Sequence, residues 1–185
     1  TPSRSSAASD VYKRQAARRV VNSDESLAEL SGLAAERALE MAGWSADSLD
    51  LILLATSTPD DLFGSAPRLQ ARLGATHAAA FDLTAACSGF LFAVVTAAQY
   101  LRSGAMRRIL VVGADQLSRW VNWDDRRSCV LFGDAAGAVA LEASENGQDD
   151  LDGFLLRSDG SRGEVLQLPQ VNQHQPLVGD ASHQC

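Results

Sequence analysis

The sequence predicts an α/β fold with a largely parallel central sheet and helices packed on its faces. Three observations carry this. Apolar runs of strand length at 51–56, 78–83 and 108–114 alternate with segments of helical character. The runs are continuous rather than alternating, which suits strands buried on both faces. Glycines stand at 43, 74 and 104, where the intervening helices should stop.

The first helix is predicted over 26–42, with Leu27, Leu30, Ala34, Ala38 and Met41 on one face at helical spacing. Ser26 and Glu29 make a capping-box pattern, and Gly43 suits the C-terminal cap. A buried strand follows at 51–56. Ser65 is expected to cap a short helix that has Pro67 in its first turn and Gly74 at its end. The run 78–83 reads as a second buried strand. A third helix should begin near Cys87 and end before Gly104. It is apolar nearly all round, which predicts a central position. Strands are then expected at 108–114, 129–132 and 137–141, with a last candidate at 153–157. Alternation of strands and helices makes the sheet mostly parallel.

Composition narrows the classes of function. The 185 residues are 46% apolar and 21% charged, enough for a core. No apolar run approaches the roughly 20 residues that cross a bilayer, and no secretory signal is visible. A net charge of −7 without a basic stripe argues against nucleic acid as a partner. Cysteines at 87, 129 and 185 have no regular spacing, so neither a disulfide framework nor a metal site is expected. A reducing cytoplasmic setting is the default expectation. Residues 1–15 are polar and unpatterned, resemble a translated sequencing-adapter remnant, and are expected to be non-native. Residues 169–185 read as a truncated or disordered tail, leaving 16–168 as the domain.

The chemically informative stretch is Phe81-Asp82-Leu83-Thr84-Ala85-Ala86-Cys87-Ser88-Gly89-Phe90. A strand runs through small residues into a cysteine and then a helix. That places Cys87 at a helix N-terminus, where unpaired N–H groups and the helix dipole favour a thiolate over the free thiol of pKa ~8.5. The same amides can stabilise the oxyanion of a tetrahedral intermediate. Small flanking residues leave room for a substrate. On the residues alone, nucleophile and buried structural cysteine both remain open.

The stretch AFDLTAACSGF resembles the nucleophile segment of the β-ketoacyl-acyl-carrier-protein synthases of type III. Three further segments match in order and spacing. Ala55-Thr56-Ser57-Thr58-Pro59-Asp60 is similar to the family's A-T-T-T-P-D. Val111-Val112-Gly113-Ala114-Asp115 with Leu117-Ser118-Arg119 is similar to V-V-G-A-[ED]-x-L-S-R. Asp125-Arg126 through Leu131-Phe132-Gly133-Asp134-Ala135-Ala136-Gly137-Ala138 is similar to D-R-x-x-x-x-L-F-G-D-G-A-G-A. The resemblance spans about residues 16–168, and the segments TPDDLFGSA and SRWVNWDDRR look most like cyanobacterial members.

The resemblance implies a thiolase-like fold built from two βαβαβαββ halves, of which this chain is most of the first. It implies that Cys87 accepts an acetyl group from acetyl-CoA, which is then condensed with malonyl-acyl carrier protein. Arg126 would stack on the CoA nucleotide, a task suited to a planar guanidinium; an ion pair with Asp124 or Asp125 is the plainer role. Leu62 and Phe63 would reach the partner's acyl pocket in a homodimer, or else anchor their own loop. Gly133, Asp134 and Gly137 would form a loop that supports the site. Ala135 replaces a usual glycine, which matters if that position needs a positive φ. Cys129 is expected buried and inert, His77 at the surface, and Trp120 and Trp123 in packing roles, with Trp123 near the CoA entrance. No resident cofactor or metal is implied. The family's H-Q-A-N histidine and its asparagine have no counterpart here, and His174 lies in an unpatterned segment. The chain is therefore expected to be an inactive fragment of an acyltransferase. The alternatives are a related condensing enzyme with another starter and a non-catalytic thiolase-fold interaction module. A flavodoxin-like protein is disfavoured, because no glycine-rich phosphate loop follows the first strand.

Overall fold

A computed structural model describes residues 17–144 and 151–167. The chain divides into two units, residues 1–154 and 155–185. In the second, the described part holds a 3₁₀ helix at Gly160–Val165, capped by Asp159, whose carboxylate accepts the Ser161 N–H. The segments assigned above to a non-native start and to the tail, and His174 with them, lie outside the described residues.

The first unit is built on four strands: β1 (Leu51–Ala55), β2 (Ala79–Leu83), β3 (Arg108–Gln116) and β4 (Asp134–Glu142). Their order is β2-β1-β3-β4. β1 pairs in parallel with β2 and β3, and β4 closes the far side antiparallel to β3. Helices α1 (Leu27–Ala42) and α2 (Ala66–Leu73) cover one face, and α3 (Gly89–Arg102) lies on the other. β1 and β3 are the centre. Ile52, Leu54, Leu110 and Val112 face α1 and α2, while Leu51, Leu53, Ile109 and Val111 face Ala93 and Ala97 of α3. The strands alternate between two cores, which is why their sequence is apolar without a break. Among the described residues, no helix is long and apolar enough to cross a membrane.

The helix ends behave as expected at α1. Ser26 accepts the Glu29 N–H at 3.1 Å, and Gly43 terminates the helix with a φ of 68°. Its buried face differs from the expected one. Leu27 is buried and Leu30, Ala34 and Ala38 are half-buried, but Met41 is 90% exposed, and the helix also buries Ala28, Ser31, Gly32, Ala35 and Leu39. Small residues mark this face because α2 comes close. A Cβ on Gly32 would fall 2.0 Å from the Arg72 guanidinium, which pairs with Glu36.

Five further expectations are corrected. Ser65 does not cap α2 with its side chain; Asp82 on β2 takes the Ser65 and Ala66 N–H groups, and Ser65 Oγ bonds Asp60. β2 is an edge strand with exposed and half-buried residues rather than a buried one. α3 is not enclosed all round: Leu91 is 63% exposed. The same side of the sheet is open at Phe81 of β2 and Val139 of β4, because α3 lies mainly over the central pair. The run 129–132 is a turn, held by the Ser128 and Cys129 N–H groups on Asp125 O, so Cys129 is half-buried in a turn rather than buried in a strand. Residues 153–157 form no strand either.

Truncating the β1 centre should be costly. Leu54→Ala is expected to lose about 2–5 kcal/mol of stability in urea titration, whereas Met41→Lys should stay within about 0.5 kcal/mol. A second outcome concerns Asp50, which precedes β1. Its carboxylate accepts the Arg108 and Arg107 N–H groups at 2.9 and 2.7 Å, and these bonds lower its pKa from 3.8. A depressed folded pKa gives stability that is present above the unfolded value and lost as pH falls through the folded one. Wild type should thus exceed Asp50→Asn in stability at pH ~7, with the gap closing below about pH 4.

Candidate active site

Cys87 sits where the sequence places it, between β2 and α3, but the local geometry is tighter than a plain helix start. β2 ends at Leu83, and a 3₁₀ turn at Ala86–Ser88 leads into α3. Ala86 has a φ of 47°, a positive value that no other non-glycine shares among the described residues. Such a conformation costs roughly 1–2 kcal/mol for an L-residue. It turns the chain sharply and leaves the Cys87 side exposed to solvent. The Ser88 and Gly89 N–H groups are spent inside the turn, on Ala85 O and Ala86 O. The expectation that the helix amides cluster around the sulfur is thus not met by these two.

The cysteine opens onto a hollow of about 600 Å³, walled by Ala55, Phe90, Gly113, Asp115 and Gly137 among others. The wall is low because the facing residues are small. A Cβ on Gly113 would meet Phe90 at 3.1 Å, so the glycine lets the first turn of α3 lie against β3. Gly137 is the register partner of Gly113 across the β3–β4 pair.

Gly133 and Gly137 line this hollow with Asp134 between them, and the stretch is not all loop: Gly133 precedes β4, Asp134 opens it and Gly137 lies within it. Neither Gly133 nor Gly137 has a positive φ. Gly133 serves close approach instead, since a Cβ there would fall 2.9 Å from Arg19 O. Buried Asp134 ties three segments together. It accepts the Val21 N–H at 2.9 Å, the Ser118 N–H at 2.8 Å and the Ser118 hydroxyl at 2.6 Å. Ala135 lies in extended backbone, so the departure from glycine brings no strain.

Arg126 is exposed in the turn that follows Trp123 and does not line the Cys87 hollow. Its neighbour Arg127 pairs with Asp125 at 3.0 Å, and its hydrogen bonds hold the Asp125 carboxyl below the usual range. Trp123 donates Nε1–H to Ser118 O, which links this turn to the Asp134 knot, but Trp120 and Trp123 are 48% and 54% exposed, so neither is enclosed as expected of a packing residue. Leu62 and Phe63 are 87% and 91% exposed, on a turn held by Asp61; side chains so placed do not anchor their own loop. They border a second hollow of about 480 Å³ beside Phe81 and Thr84. His77 is exposed as expected. Among the described residues, no group of His, Cys, Asp and Glu side chains is placed to hold a metal ion.

Asp115 is the site residue given no role from sequence. It lines the hollow and accepts three hydrogen bonds from the end of β1. The hydroxyl-rich run Thr56-Ser57-Thr58, leaving one strand opposite an aspartate ending the next, was the available signal.

Comparison with known proteins agrees with this geometry. Residues 81–160 match the family described as 3-oxoacyl-[acyl-carrier-protein] synthase III. The chain is 71% identical over 168 residues to a β-ketoacyl-[acyl-carrier-protein] synthase III of Prochlorococcus marinus strain MIT 9313, covering 91% of this chain and 50% of the relative. It is 70% identical to the enzyme of that name from Synechococcus sp. strain WH7803, covering 90% and 49%. The crystal structure of 3-oxoacyl-(acyl carrier protein) synthase III from Pseudomonas aeruginosa PAO1 superposes with a TM-score of 0.78 at 38% identity, covering 84% of this chain and 49% of that one. The fold is therefore that of the thiolase-like condensing enzymes. Within that class the chain belongs to the family described as 3-oxoacyl-[acyl-carrier-protein] synthase III, and the relatives named above are cyanobacterial. The chain spans about half the length of the curated relatives it matches.

The strained turn sets a test. Ala86→Gly should leave stability within about 0.5 kcal/mol, strain relief offsetting the added backbone entropy. Ala86→Val should lose about 2 kcal/mol, because a β-branched residue tolerates positive φ poorly. Urea midpoints of the two variants check this.

Proposed function

We propose that Cys87 is the acyl-accepting nucleophile of a β-ketoacyl-acyl-carrier-protein synthase III that starts fatty acid synthesis. The observation that carries this is an exposed cysteine on a strained strand-to-helix turn, opening onto a hollow walled by glycine and alanine. The Cys87 thiolate attacks the thioester carbonyl of acetyl-CoA, and the CoA thiolate leaves. Malonyl-acyl carrier protein then loses carbon dioxide. The resulting carbanion attacks the acetyl carbonyl, and the Cys87 thiolate departs from acetoacetyl-acyl carrier protein.

In this reading Arg126 meets the CoA nucleotide from its exposed turn. Leu62 and Phe63, projecting from their own chain, enter a partner's acyl pocket in a homodimer. Acetyl-CoA and the carrier protein are substrates, no resident cofactor takes part, and the setting is the cytoplasm. The remaining length of the relatives supplies the histidine and asparagine that stabilise the enolate. It also covers the open side of α3, β2 and β4, where Leu91, Phe81 and Val139 are exposed.

The division of labour is testable. A chain extended to the length of its curated relatives should make acetoacetyl-acyl carrier protein from acetyl-CoA and malonyl-acyl carrier protein. Cys87→Ala should lower that rate by at least about 10³-fold, as loss of a nucleophile does elsewhere. The 185-residue chain alone should make none. Condensation by the short chain, or by the Cys87→Ala variant at an undiminished rate, would overturn the reading.

A further inference from the structure

We propose that Asp115 is a positioning residue for Cys87, acting through its acceptor oxygen and not its charge. A positive-φ residue such as Ala86 persists only where its surroundings hold it. The structure offers a holder on the β2 side of the turn. The Leu83 carbonyl, at the end of β2, accepts the Thr56 N–H at 3.1 Å. Thr56 belongs to a segment gathered onto one atom, Asp115 Oδ1. That oxygen accepts the Ser57 N–H at 2.8 Å and the hydroxyls of Thr58 and Thr56 at 3.1 and 3.2 Å.

Both hydroxyls are also used as acceptors. Thr56 Oγ1 takes the Thr58 N–H at 3.0 Å, and Thr58 Oγ1 takes the Gln116 N–H at 2.8 Å. Thr56 and Thr58 are buried, so their bonds do not compete freely with water. The carboxyl ends of β1, β2 and β3 are thereby laced together just before the cysteine turn departs. Asp115 also lines the hollow that holds Ala86 and Cys87.

A carboxylate on that wall would oppose thiolate formation if charge were its contribution. Geometry and charge therefore predict opposite outcomes when the carboxylate is removed. Asp115→Ala deletes the shared acceptor. Asp115→Asn keeps an Oδ1 that can accept and removes the charge.

The inference deepens the proposed role of Cys87 and rests on it. The test follows alkylation of the full 185-residue chain by iodoacetamide at fixed pH, with peptide-resolved mass spectrometry reading Cys87 and Cys129 separately. Asp115→Ala should slow Cys87 about tenfold, within the roughly 100-fold that misplacing a reacting group can cost, while Cys129 stays within about twofold. Asp115→Asn should recover Cys87 to within about threefold of wild type. Should Asp115→Ala fail to fold, Thr58→Val decides: it removes one donor and should slow Cys87 selectively. Unchanged or faster Cys87 alkylation in Asp115→Ala, or equal losses in Ala and Asn, would overturn the proposal. No acyl-CoA enters this assay, so failure of acyl transfer with the expected alkylation pattern strikes only the functional reading.

Discussion

The turns at the carboxyl ends of the parallel strands have backbone N–H groups that no neighbouring strand can accept, and aspartate side chains take them. Asp82 takes the first amides of α2, Asp60 those of α1, Asp134 those of Val21 and Ser118, and Asp115 that of Ser57. Each bond to a charged group contributes about 1.5–3 kcal/mol, more than a neutral pair. Every one of these carboxylates bridges segments distant in sequence. They convert a rim of loops into a fixed edge, and the cysteine turn is mounted on it. The strain at Ala86 is tolerable because the chain on either side is committed, to β2 and its Thr56 contact before, and to α3 after.

Small residues provide the second constraint. Gly113 admits Phe90, Gly133 admits the backbone of Arg19, and Gly32 admits the Arg72 guanidinium. At the first two, the vacancy of a side chain brings an element close to the hollow, so the walls around Cys87 are made of backbone and Cβ atoms. Such a site selects a ligand by shape and by what later covers it. The apolar side of α3 remains exposed at Leu91, and the sheet beside it at Phe81 and Val139. In the proposed function that face meets the remaining length of the relatives.

The parts of the fold that follow from local hydropathy and caps were legible in the sequence: β1 and β3, α1 with Ser26 and Gly43, and the strand-to-helix setting of Cys87. What escaped depended on distant partners. Gly32 is buried because Arg72 arrives from another helix, which no periodicity of apolar residues reveals. The apolar run 129–132 reads as a strand, yet the Cys129 N–H turns back to Asp125 O and the Leu131 N–H to Ser128 O, which makes a turn. β2 has the composition of a buried strand but lies at an edge, since burial belongs to the assembly and not to the strand. Family resemblance supplied the role proposed for Cys87, where chemistry alone left two readings. The role of Asp115 required geometry, because its three donors come from a segment that precedes it by more than fifty residues.

The most direct test of Cys87 as acyl acceptor is peptide-resolved mass spectrometry of the 185-residue chain after incubation with acetyl-CoA. An acetyl thioester on the peptide containing Cys87, released by hydroxylamine and absent from the peptide containing Cys129, is the expected result. An unmodified Cys87 in folded protein, or equal acetylation of both cysteines, would contradict it.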